Sequence, residues 1–141
     1  MTKFAHELTT GDILEPLSFT VTPEWNQQYC YAQEDFDQRY IVGCEGRSPE
    51  VHPTLLLSMS AYTKSLSFKL APGTGSIMGE QSCSFFNVAA VGKRIDVDFR
   101  VVETYERRSR LFRIVESTVT DEDGTLILRR QSHLTIERSG A

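Results

Sequence analysis

A chain of 141 residues has room for one hydrophobic core and no second, and its 40% apolar and 24% charged content is that of an ordinary globular domain, not a disordered tract. Its net charge of −4, with no long basic run, speaks against a nucleic-acid or anionic-membrane surface. No stretch approaches the ~20 apolar residues of a membrane span and the first residues lack the apolar centre of a signal peptide, so a single domain over 1–141 is expected in the cytoplasm.

In chain order, residues 17–22 (LSFTVT) alternate apolar and hydroxyl side chains with the period of a half-buried strand. A helix should follow at once. Thr22 suits an N-cap, Pro23 the first helical position and Glu24 the positive end of the helix dipole; Trp25, Tyr29 and Ala32 then share one face, with an end near Gln33. Periodicity vanishes over 34–51, where Gly43, Gly46, Ser48 and Pro49 punctuate a segment longer than most connections, and segments of that size are more often functional than idle.

Residues 53–68 then run at helix length, opened by Pro53 and carrying apolar or small side chains on nearly every face, which predicts one long buried helix with Met59 and Leu66 in the core. APGTG at 71–75 closes it, and the rest reads as strand. A strand over 77–86 is followed by a turn at 91–93. In the next, Ile95, Val97, Phe99 and Val101 oppose Arg94, Asp96, Asp98 and Arg100 in a two-residue period. Strands at 111–119 and 125–137 flank a hairpin turn at 121–124, with Gly124 where a positive φ is needed. Helices followed by a run of strands mean α+β, with the helix on one face of an antiparallel sheet.

Cys30, Cys44 and Cys83 are odd in number and not spaced like metal ligands, so they read as reduced thiols; no metal or cofactor is expected. Arg107, Arg108 and Arg110 form the densest basic cluster, which reads as a solvated hairpin end or as a landing site for a phosphorylated ligand tail. His6 and His133 read as solvent-facing, and Trp25, Tyr29 and Tyr31 as packing.

Three stretches, DFDQRY at 35–40, VHPTLL at 51–56 and GEQ at 79–81 leading into Phe85 and Phe86, with the weaker YERRSR at 105–110, resemble in order and spacing the MaoC-like hydratase and dehydratase family, over nearly the whole chain. The resemblance implies a hotdog fold, an antiparallel sheet wrapped around one long buried helix, and an acyl-CoA or acyl-carrier thioester as ligand. Family members that hydrate enoyl thioesters carry a D-x-N-P-x-H stretch whose Asp and His work as a pair on water and on the substrate carbon. Here Asp35 falls on the Asp, Asp37 on the Asn, Gln38 on the Pro and Tyr40 on the His.

A phenol titrates near about 10, so Tyr40 makes a poor base at neutral pH, although it can donate a hydrogen bond. His52, near the N-cap of the predicted helix, either caps and fills core or replaces the missing histidine. The family also implies a helix N-terminus polarising the thioester carbonyl. Because Pro53 has no N–H, that donation would fall to Thr54 or Leu55, or to the side chain of His52 or Thr54.

The resemblance thus implies catalytic Asp35, Tyr40 and His52 and substrate-binding Asp37, Thr54 and Leu55. It also implies edge-to-edge pairing, as a homodimer or as a heterodimer with another hotdog subunit. A non-catalytic acyl-binding subunit is the second reading. A thioesterase is the third, disfavoured because 54–68 carries no carboxylate.

Overall fold

Side chains alternate across a strand, so the run of dry positions along the C-terminal strands decides where the core lies. The computed structural model describes residues 3–138, the last by its backbone alone. After a 3-10 turn at Ala5–Glu7 come β1 (Ile13–Thr20), α1 (Pro23–Ala32), α2 (Gln38–Ile41), α3 (Pro53–Leu57), α4 (Ala61–Lys64), β2 (Thr74–Phe85), β3 (Arg94–Arg107), β4 (Arg110–Asp121) and β5 (Leu126–Arg138). The strands form one antiparallel sheet in the order β1-β3-β4-β5-β2.

Ile95, Val97, Phe99 and Val101 of β3 are all buried, as their two-residue period requires, and join Val115, Val119, Leu128, Leu134 and Ile136 in the core. Leu55, Leu56, Met59 and Ala61, from α3 and the segment after it, pack onto the same cluster. The β4–β5 turn is closed by Asp121, whose carboxylate accepts from the amides of Asp123 and Thr125, while Gly124 takes φ +78°.

Four expectations need correction. The predicted 53–68 helix is not one helix: α3 ends at Leu57 and the chain is extended at Ser60, which begins α4. Ser58 donates from Oγ to the Leu55 carbonyl, a local bond that competes with helix propagation. Arg130, 3% exposed on β5, then donates to the carbonyls of Leu57 and Met59 that the break releases. Leu66, expected in the core, is 81% exposed beyond α4. The 34–51 segment contains a turn of helix, α2, which Asp37 caps by accepting from the Arg39 amide. β1 begins at Ile13, four residues earlier than read, because Pro16 lies at an edge-strand bulge between Leu14 and Leu17, where a missing N–H costs nothing.

The Arg130 fork has a measurable consequence. Arg130→Met fills similar space but leaves two carbonyls without donors, each worth about 1–3 kcal/mol, partly offset by removing a buried charge. A net loss of about 2 kcal/mol, read as a Tm lower by roughly 5–10 °C, is expected. An unchanged or higher Tm would show that the break stands without the guanidinium.

Candidate functional site

α1 supplies the foundation. Thr22 accepts from the Trp25 amide and Pro23 opens the first turn, as the sequence requires. At the other end the amides of Glu34 and Asp35 bond the carbonyls of Tyr31 and Cys30, and Glu34 takes φ +54°, the left-handed conformation that usually selects glycine. This cap fixes the point at which Asp35 leaves the helix.

Asn26, in the middle of α1, is fully buried. Its Nδ2 donates to the carbonyls of Tyr40 and Glu50, both at 2.9 Å, and its Oδ1 accepts the His52 amide at 3.0 Å. One side chain therefore ties α1 to the end of α2 and to the entry of α3. Sequence reasoning passed it over, because an Asn inside a helix carries no signal of its partners.

On this frame the histidine and the carboxylate meet: His52 Nε2 lies 3.0 Å from Asp35 Oδ2. His52 is 7% exposed, between the ring of Tyr40 (4.7 Å between centroids) and that of Tyr29 (5.5 Å). The Asp35 side chain is 40% exposed, and its Oδ1 accepts from the Asp37 amide at 3.3 Å. Burial pushes the Tyr40 phenol above its ordinary value, so at neutral pH it is a neutral donor and no base.

Tyr40 also lines a cleft of about 330 Å³ whose walls include Val51, Pro53, Leu56, Phe85, Phe86 and Ile127. Asp35 and His52 are not among its lining residues; Tyr40, whose ring packs on that of His52, is. A second recess shares Arg39, Glu50 and Val88 with it and adds Cys44 and Arg47.

The loop that carries Cys44 and Arg47 turns at Gly43, φ +82°, where an added Cβ would sit 2.1 Å from the Arg47 carbonyl oxygen. Gly43→Ala meets both left-handed strain of about 1–2 kcal/mol and that clash. A Tm lower by at least about 5 °C is expected, and an unchanged melt would contradict the tight loop.

The other candidates fall as follows. Asp37 caps α2 and pairs with Arg39 Nε at 3.1 Å. Leu55 is fully buried, with its amide on the His52 carbonyl, and so presents nothing to a ligand. The Thr54 amide lies 3.3 Å from His52 Nδ1, so neither amide expected to polarise a carbonyl faces the cleft. Cys30 is buried, and burial raises its thiol, aided by Asp35, which makes it a poor nucleophile. His133 lies 3.9 Å from Glu80 on the outer face. His6, read as solvated, is half-buried and gives its carbonyl to Arg113. Arg107, Arg108 and Arg110 sit at the β3–β4 turn, paired by register at the sheet end opposite Phe85 and Leu128. They cannot serve the cleft of their own chain.

Among the described residues no helix is long and apolar enough to cross a membrane, and no group of three or more metal-ligating side chains is present. No family model and no curated protein matches the chain. Solved structures do. An (R)-hydratase from A. caviae involved in PHA biosynthesis is 21% identical, with a TM-score of 0.76 over 92% of this chain and 98% of that one. A MaoC-like dehydratase from Rhodospirillum rubrum is 17% identical, with a TM-score of 0.72 over 99% of each. The truncated HadBC (3R-hydroxyacyl-ACP dehydratase) complex from Mycobacterium tuberculosis is 14% identical, with a TM-score of 0.67 over 92% of this chain and 98% of that one. These likenesses make the fold a hotdog, with hydratases of the MaoC-like kind among its structural neighbours.

Proposed function

We propose that the chain, as a single MaoC-like domain, is an acyl-thioester hydratase or dehydratase in which Asp35 and His52, from two different segments, restore the pair that the family builds within one. The observation that carries this reading is the 3.0 Å contact between His52 Nε2 and Asp35 Oδ2, with Tyr40 of the cleft wall packed on the His52 ring. In hydration Asp35 takes a proton from water as its oxygen bonds to the β-carbon of the enoyl thioester. The same carboxylic acid then returns that proton to the α-carbon, so one water is added and no other reactant is consumed.

His52 holds the carboxylate through a charge-assisted hydrogen bond. Tyr40, protonated and on the cleft wall, is the donor assigned to the thioester carbonyl in place of the Thr54 and Leu55 amides. The apolar wall of Leu56, Phe85, Phe86 and Ile127 suits an acyl chain. Mixing the protein with crotonyl-CoA and following loss of enoyl absorbance tests the reading. Turnover that depends on Asp35 supports it; no change at high enzyme concentration counts against it.

A second reading is favoured by two observations: neither member of the pair lines the cleft, and β2, one of the two sheet edges, exposes Ile77, Met78 and Phe85. In it the chain is an acyl-binding subunit that pairs with another hotdog chain, as the HadBC neighbour is a complex of two subunits. A neighbouring reading frame encoding D-x-N-P-x-H would favour it. Both readings place a second chain on the β2 edge, since a long edge with Glu80 as its one charge is otherwise an aggregation hazard. Light scattering that finds only single chains would contradict both on this point.

A further inference from the structure

We infer that the Thr54 amide and the Asp35 carboxylate hold His52 in one tautomer, with its proton on Nε2, that the Thr54 hydroxyl and Tyr29 are positioning residues for that ring, and that the proton-accepting role of the pair falls to Asp35. The assignment follows from donors and acceptors along one line of contacts. The Thr54 amide can only donate, and it lies 3.3 Å from His52 Nδ1. The Thr54 hydroxyl lies 2.9 Å from the same nitrogen, and Tyr29 Oη lies 2.9 Å from that hydroxyl. At the other end, the ionised Asp35 carboxylate can only accept, and it lies 3.0 Å from Nε2.

A single ordering satisfies every contact of a neutral imidazole. Tyr29 O–H donates to Thr54 Oγ1, Thr54 O–H donates to His52 Nδ1, and His52 Nε2–H donates to Asp35 Oδ2. In the opposite tautomer an Nδ1 hydrogen would face the Thr54 amide hydrogen, and an Nε2 lone pair would face a carboxylate at 3.0 Å. Two favourable contacts would become two repulsions, and the proton therefore stays on Nε2.

Three consequences follow. His52 has no lone pair free for water or substrate, so the group that takes the proton is the half-exposed Asp35. The Thr54 hydroxyl and amide, expected to touch the ligand, are both turned onto His52. Tyr29, which the sequence suggests is simple packing, both packs on the imidazole and anchors the far end of the line.

The test uses the intact protein labelled with 15N at histidine. Long-range 1H–15N correlation at neutral pH should show His52 with a protonated Nε2 and an unprotonated Nδ1; His6 and His133 serve as internal references and Asn substitution of His52 identifies its signals. Thr54→Val keeps the amide and should therefore keep the tautomer, but the ring loses its hydroxyl anchor and kcat should fall by about tenfold to a hundredfold with KM little changed, the size of effect that misplacing a working group produces. Thr54→Ser, which keeps the hydroxyl, should restore the rate. Tyr29→Phe leaves the half-buried ring in place and should show a smaller change of the same kind even if Thr54→Val folds poorly. A His52 carrying its proton on Nδ1 in the parent protein overturns the tautomer, and Thr54→Val with an unchanged kcat in an active protein overturns the positioning role. The effect on turnover rests on the hydratase reading whereas the tautomer does not, so the expected spectrum in a protein that ignores crotonyl-CoA would sink that reading alone.

Discussion

Asp35→Asn should lower kcat/KM for hydration about a thousandfold, near the middle of the 10²–10⁴ range for losing a general base and equal to about 4 kcal/mol of barrier. The amide has nearly the shape of the carboxylate but no proton affinity near neutral pH. Its oxygen can still accept from His52 Nε2, so the contact survives in form while the chemistry is lost. Because the Asp35 side chain is 40% exposed, the melting temperature should move by no more than a few degrees. A variant that keeps most of its turnover would remove Asp35 from the reaction. Tyr40→Phe separates a second contribution, since it keeps the ring against His52 and removes the donor assigned to the thioester carbonyl.

Asn26→Leu should be the most damaging single change to the fold of the site. It removes three hydrogen bonds at a fully buried position and strands the carbonyls of Tyr40 and Glu50 and the amide of His52. An unmade buried bond costs about 1–3 kcal/mol, so a loss of about 3–6 kcal/mol is expected against a typical total of about 5–15. Chemical denaturation should show the midpoint falling sharply at little changed slope. Asn26→Asp keeps the acceptor for the His52 amide but puts a carboxylate against two carbonyls, and it should be no better. A variant within about 1 kcal/mol of the parent would mean that the three backbone groups find other partners.

Where local chemistry decides structure, the chain could be read directly. The Thr22-Pro23-Glu24 start of α1, the alternation of Ile95 through Val101 and the glycine turn at Gly124 each depend on residues within a few positions of one another. Where structure depends on distant partners, it could not. The helix predicted over 53–68 is interrupted with the help of Arg130, a residue 73 positions from Leu57. Ser58 and Ser60 were the local sign, outweighed by the apolar run around them. Pro16 hid the start of β1, since a proline reads as a break until the bulge on an edge strand is known.

The site divides in the same way. Asp35 and His52 were singled out from residue type and the family pattern, and they stand 3.0 Å apart across 17 positions of sequence. Asn26, which makes that meeting possible, reaches partners 14 to 26 positions away and left no trace in the sequence. The amides of Thr54 and Leu55, expected as donors to a carbonyl, are both bonded to His52, the N-cap. A cap residue satisfies orphan amides before any ligand can, and this one does so from both its ring and its carbonyl.

The most direct measurement is a crystal structure of the protein with an enoyl- or 3-hydroxyacyl-CoA bound. The reading predicts the β-carbon, or the oxygen it carries, within about 3–3.5 Å of the Asp35 carboxylate, with the thioester oxygen in hydrogen-bond reach of Tyr40. An acyl chain seated in the cleft with its reactive carbons well out of reach of Asp35, in a complex that still turns over, would contradict it.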